Sequence, residues 1–161
     1  MDARAAGDEA QACRAAAGTY LSGTVLGAPR MQHGKMRDGV ELTHTQLSVR
    51  ADRDGAIYAV AVDNVFVEGF DPRQKGVPGA LRAIAPGERL SLCGQPYSSG
   101  AGLHWVHTNC GARPSAAHPN GWLKRIAADG TPGPNLDANT AYCSLFPPPR
   151  RRRGDSADTA R

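Results

Sequence analysis

No stretch of about 18 consecutive apolar residues occurs in the chain, which excludes a transmembrane helix. Aromatic residues are scarce at 6%, so a small core has to use most of them. Charged residues (21%) and apolar residues (40%) both sit a little below globular averages. No Cys-x-x-Cys pair exists among Cys13, Cys93, Cys110 and Cys143, which removes zinc-ribbon and zinc-finger spacing. A nucleophile elbow of the Gly-x-Ser-x-Gly type, a P-loop and a dinucleotide fingerprint are all missing. No carboxylate cluster suits Mg²⁺ or Ca²⁺. Residues 1–18 are Ala-rich with mixed charge, and show no basic segment followed by an apolar one, so no export signal is read there.

What the chain does have is glycine (19), proline (12) and a length of 161 residues. That length suits one domain with a real core, and the composition favours turns and short strands over long helices. The net charge is +4, but most of it is local. Five arginines (Arg150, Arg151, Arg152, Arg153 and Arg161) against Asp155 and Asp158 place +3 in residues 150–161, so the other 149 residues carry +1. Residues 147–161 read as a disordered basic tail, and residues 1–18 as a helical or disordered arm. Four scattered cysteines permit two disulfides in three connectivities. This favours a periplasmic or secreted protein, with a cytosolic chain of four thiols as the alternative. The pairing Cys13–Cys93 with Cys110–Cys143 would pin both extensions to the body. A Cys93–Cys110 bridge across neighbouring strands is also allowed.

Between the extensions, residues 20–26, 42–50, 56–62, 89–94 and 103–108 read as strands. In the second, Thr43, Thr45, Leu47 and Val49 share one face, and Leu42, His44, Gln46, Ser48 and Arg50 the other. Asp52-Arg53-Asp54-Gly55 turns it into a hairpin with the third. Residues 31–39 read as a flexible polar loop, 79–84 as a helical turn, 122–126 as a short closing strand and 131–134 as a turn. The order of three strands, a short helical connection and two strands matches an all-β, five-stranded, OB-fold-like Greek-key barrel over residues 19–146. An SH3-like barrel and a plain sandwich are the alternatives.

The segment His104-Trp105-Val106-His107-Thr108-Asn109, followed by His118-Pro119-Asn120-Gly121-Trp122-Leu123-Lys124, resembles an uncharacterised family of small bacterial secreted domains. That family's hallmark is a His-Trp-Thr-His run and then His-x-x-Gly-Trp-Leu-Lys. Upstream, His44-Thr45-Gln46 stands where the family has a His-Gln pair, Asp63-Asn64 where it has His-Asn, and Gly87-Glu88 where it has a Gly-Asp turn. Val106 replaces the Thr. The resemblance covers residues 22–124. It implies the barrel fold, export and a site near the fifth strand, but no reaction.

If His44, Asn64, His107 and His118 converge, two imidazoles and an amide supply general base, general acid and oxyanion donor for phosphodiester hydrolysis of a nuclease-like kind. No cofactor is needed for that. Zinc held by three histidines and Asp63 is the variant. Gln46, Tyr58, His104, Trp105, Asn109, Trp122 and Lys124 are the candidate substrate-binding residues. On a regular fifth strand His104 and His107 would face opposite ways. The competing expectation is a non-enzymatic module for an oligosaccharide, an oligonucleotide or a cell-envelope partner, with Tyr58, Trp105 and Trp122 as stacking surfaces. A body charge of +1 argues against strong non-specific binding of nucleic acid.

Overall fold

A computed structural model of the chain describes residues 3–147. Its central hairpin joins β5 (His44–Ala51) to β6 (Ile57–Asp63). These strands form because β-branched and apolar residues alternate with polar or small ones. Thr45, Leu47 and Val49 are buried, while His44, Gln46, Ser48 and Arg50 lie on the outer face. Val60 and Val62 point inward from β6. The turn between them is held by Gly55, which has a φ of 69°, and by Asp54 accepting the Ala56 amide at 2.9 Å.

The other barrel strands are β1 (Thr19–Val25), β7 (Arg89–Pro96) and β8 (Gly102–His104). β1 pairs with β5, β5 with β6, β6 with β8 in parallel, β8 with β7, and β7 returns to β1. The ring closes, and its order is that of the OB fold, with α2 (Gly79–Arg82) in the connection before β7. Leu21, Val49, Val60, Leu90, Leu92 and Leu123 fill it. Closure leaves few unpaired strand edges in a body too small to shield them otherwise.

Several pieces are added to this ring. β9 (Trp122–Ile126) pairs with β7, and β10 (Pro132–Asn135) with β9. The expected turn at 131–134 is therefore largely strand. α1 (Ala3–Ala15) packs on the outside, tied by the Cys13–Cys93 bridge and by Glu9, which accepts from Lys124 Nζ at 3.1 Å and from Ser91 Oγ at 2.8 Å. The second bridge is Cys110–Cys143. The polar loop expected at 31–39 carries three short strands with its continuation: β2 (Arg30–Gln32) pairs with β5, and β3 (Met36–Arg37) with β4 (Val40–Glu41).

The fifth barrel strand is shorter than the expected 103–108. It stops at His104 because Trp105 takes a φ of 53°, a left-handed conformation that breaks the ladder. Among the described residues, no helix is long and apolar enough to cross a membrane. The basic tail expected at 147–161 lies, apart from Pro147, outside the described residues.

Candidate functional site

The site begins where β5 starts and β6 ends. Antiparallel pairing sets His44 directly opposite Asp63, both on the outer face. His44 Nε2 meets Asp63 Oδ1 at 2.7 Å. On the other side, His107 Nε2 faces Asp63 Oδ2 at 3.4 Å. One carboxylate thus lies between two imidazoles. Burial pushes Asp63 up, but the contacts from His107 and His44 outweigh it and hold the carboxyl well below its ordinary range. The Asp63 hydrogen bond in turn raises His44 above an ordinary imidazole, against the effect of its partial burial.

His107 reaches this place because of the left-handed Trp105. The chain swings off the barrel there, and Gly121 packs beneath it. A Cβ on Gly121 would sit 2.3 Å from the Cys93 carbonyl oxygen and 2.6 Å from that of Trp105, so only glycine allows this approach. The His107 ring is 1% exposed. It stacks flat on Phe66, with centroids 3.7 Å apart and 5° between planes, and leans on Trp105 at 4.7 Å. Its Nδ1 donates to the Thr108 carbonyl at 2.8 Å. Its Nε2 is buried beside Asp63 without a hydrogen-bond partner among the described residues.

Above this stack opens a pocket of about 790 Å³. Phe66, Trp105 and His107 line it, with Asp63 at its edge and His118 at its rim. Its far walls are the β3–β4 turn and the C-terminal segment at 144–147. These two walls touch: Arg37 Nη1 donates to the Leu145 carbonyl at 3.0 Å, and its guanidinium lies 5.5 Å from the Phe146 ring centroid. Phe146 also packs on Phe66 at 5.3 Å. The Cys110–Cys143 bridge and the Asn139 amide, which donates to the Phe66 carbonyl at 2.8 Å, hold the C-terminal segment in place.

Of the residues singled out from sequence, His107, His118, Trp105 and Asn109 meet at this pocket. His44 joins them through Asp63. His118 is exposed, touches Trp105 edge-on at 5.2 Å, and has a ring free of hydrogen bonds among the described residues. Asn109 shapes its loop, donating to the His118 carbonyl at 2.8 Å.

The remaining candidates lie elsewhere. Asn64 is fully buried, and its amide accepts from Thr45 Oγ1 at 2.7 Å and donates to Thr43 Oγ1 at 3.0 Å. It serves as a lock between β5 and β6, and does not line the pocket. Tyr58 sits at the β5–β6 turn with Arg53 and Asp54. Trp122 is buried beside the Cys13–Cys93 bridge, donating to Ser91, and Lys124 lies over its ring at 4.2 Å. Both serve to dock α1. Gln46 and His104 occupy the outer barrel face next to the pocket rather than its interior.

Asp63 enters from the sequence as a ligand of the zinc variant, and in the structure it lies between two imidazoles. Phe66, Arg37 and Phe146 carry no pocket signal in the sequence, because they depend on contacts between segments distant in it. Among the described residues, no group of three or more His, Cys, Asp or Glu side chains is placed to hold a metal ion. No protein-family model, curated protein or solved structure matches the chain.

Proposed function

We propose that this domain is a binding module for a neutral carbohydrate chain, working in an oxidising compartment such as the periplasm or the cell exterior. The observation that carries the reading is the sealed stack of Phe66, His107 and Trp105 under an open pocket. A histidine that is 1% exposed, with its Nδ1 committed to the Thr108 carbonyl, is poorly placed to exchange protons with a substrate. With Phe66, which is 2% exposed, it is well placed to back the half-buried Trp105, the member of the stack open to a ligand. An aromatic side chain with a few polar groups around it suits sugar rings, which have an apolar face and a hydroxyl rim. The polar groups here fit that rim. Asp63 and Asp38 offer acceptors for hydroxyl protons, and two carboxylates at the edge disfavour a polyanion. The near-neutral charge of residues 1–149 points the same way. The two disulfides are compatible with an oxidising compartment, and the resemblance to secreted domains agrees.

One feature favours the hydrolase reading as a second choice. His44 is about a third exposed and oriented by Asp63, as a general base would be, and the free ring of His118 would be the acid. A single comparison separates the two readings. The full chain is titrated with oligosaccharides by calorimetry and assayed for turnover of RNA and DNA. Binding that falls at least about tenfold in Trp105→Ala supports the module, since one aromatic stacking contact is worth roughly that much. Cleavage of RNA or DNA that disappears in His44→Ala would replace it with the hydrolase.

A further inference from the structure

The outer barrel face next to the pocket is built in an unusual way. Its central outward positions are small: Ala59 and Ala61 on β6 and Gly102 on β8. Over this floor lies the ring of Tyr97. The fit is close enough that a Cβ on Gly102 would sit 2.0 Å from Tyr97 Cδ2 and 2.3 Å from Cε2. His104 braces the ring edge-on at 5.2 Å. At the far end, the Tyr97 hydroxyl lies near the side chain of Gln46, two residues along β5 from His44. Gln46 also accepts company from β2, donating to Gln32 Oε1 at 3.4 Å. The ring therefore lies down on Gly102, braced along its edge by His104, and half-buried.

Tyr97 and His104 line a cavity of their own with Thr19 and Gly94, and the shelf adjoins the pocket along β6. Ala61 and Asp63 share the outer face of β6, about 7 Å apart at the usual strand rise. Asp63 closes the pocket edge, and Ala61 is paired with Gln46. A ligand leaving the pocket past Asp63 and His44 would next meet Gln46, His104 and the Tyr97 ring. All of these carry hydrogen-bonding groups, and none of the three is a carboxylate or a permanent cation. The face thus matches a chain of uncharged, hydroxyl-rich rings.

We infer that the Tyr97 ring, lying on Gly102 beside Gln46 and His104, is a second stacking subsite in line with the Phe66–His107–Trp105 pocket, so that the ligand is an extended oligosaccharide rather than a single sugar. The inference rests on the carbohydrate reading and adds chain length to it. Tyr97 sets how many units count, while Trp105 sets whether anything binds.

The probes are β-1,4-linked glucose and N-acetylglucosamine, each as the single sugar and as a series of longer oligomers. They are titrated into the full chain by calorimetry and by NMR. In the wild type, affinity should rise about tenfold from single sugar to longer oligomer, the gain expected of one more aromatic stack. Only the longer oligomers should move the Tyr97 ring resonances. Tyr97→Ala should abolish the gain and leave single-sugar affinity unchanged. Tyr97→Phe should keep most of it. Gly102→Ala, whose methyl displaces the ring, should behave like Tyr97→Ala. Single-sugar binding with no gain on lengthening, or a gain that survives Tyr97→Ala, overturns the subsite alone. If no sugar of any length binds, the carbohydrate reading falls and the subsite with it. Should a variant fail to fold, the wild-type resonances decide: oligomers that shift Trp105 but leave Tyr97 unmoved count against the subsite.

Discussion

Asp137 is the most exceptional side chain in the molecule. It is fully buried, and neither carboxylate oxygen has a hydrogen-bond partner among the described residues. Burial pushes its carboxyl well above the ordinary range, and the negative charges of Asp63 and Glu68 add to this. Burial thus favours the protonated carboxyl in the folded state, whereas the unfolded chain loses that proton in the ordinary carboxyl range. Its contribution to stability is complete below the ordinary carboxyl range and is lost as pH rises towards the raised folded value. Asp137→Asn removes that loss, because the amide cannot ionise. We expect the variant to gain on wild type in stability as pH rises from 4 to 7, and the two to converge towards pH 4, as read by urea melts.

His44 acts in the same direction over a higher window. Its folded value is raised by Asp63, so its contribution is present below the ordinary imidazole value and fades as pH climbs through the folded one. Asp63 is lowered, so its share is lost only on strong acidification. A ¹H–¹⁵N titration should place the His44 midpoint above that of a free imidazole, and Asp63→Asn should bring it down. Because both partners are about a third exposed, the pair itself is worth only about 1 kcal/mol.

At the scale of elements, two short segments decide the pocket. The β3–β4 hairpin turns through Asp38 (φ 49°) and Gly39 (φ 80°), the left-handed pair of a tight two-residue turn. This turn carries Arg37 to Leu145 and Phe146. The C-terminal segment arrives from the opposite side under the control of Cys110–Cys143. Replacing both of these cysteines by serine should cost about 2–4 kcal/mol of stability. It should also weaken ligand binding far more than the equivalent Cys13 and Cys93 replacements, which loosen only α1. Paired melts and titrations of the two double variants check this.

These segments also explain what was and was not legible in the sequence. The alternation through Thr45, Leu47 and Val49 marked β5 and its faces, since a half-buried strand imposes period two. Two-residue ladders such as β3 and β4 impose no period, so residues 31–39 looked like loop. Trp105 and His107 were read on one regular strand, because a left-handed tryptophan has no local signature. Trp122 and Lys124 were drawn to the site by their place in a motif, yet their side chains face α1. Which face a residue takes beyond a strand's end is set by tertiary contacts, such as the close approach at Gly121.

Across the whole molecule, the OB-like barrel was legible because its strand count, its α2 connection and its turns follow local rules. The positions that build the pocket come from all over the chain: Arg37, Asp63, Trp105 and Phe146 meet only once the barrel has closed. Closure itself imposes an order of events. Thr19 to Leu21 of β1 pair with β7, at Gly94 to Leu92, and not with β5, so this part of the strand has no ladder to join until more than half of the chain has been made. Joining ends so far apart is slow compared with forming a local hairpin. In the same register Tyr20 sits opposite Cys93, the cysteine that bridges to Cys13 across a separation of 80 residues. Pairing of β1 with β7 brings the thiols of Cys13 and Cys93 together. In the folded protein that bridge therefore locks the join between the first strand and the second half of the chain.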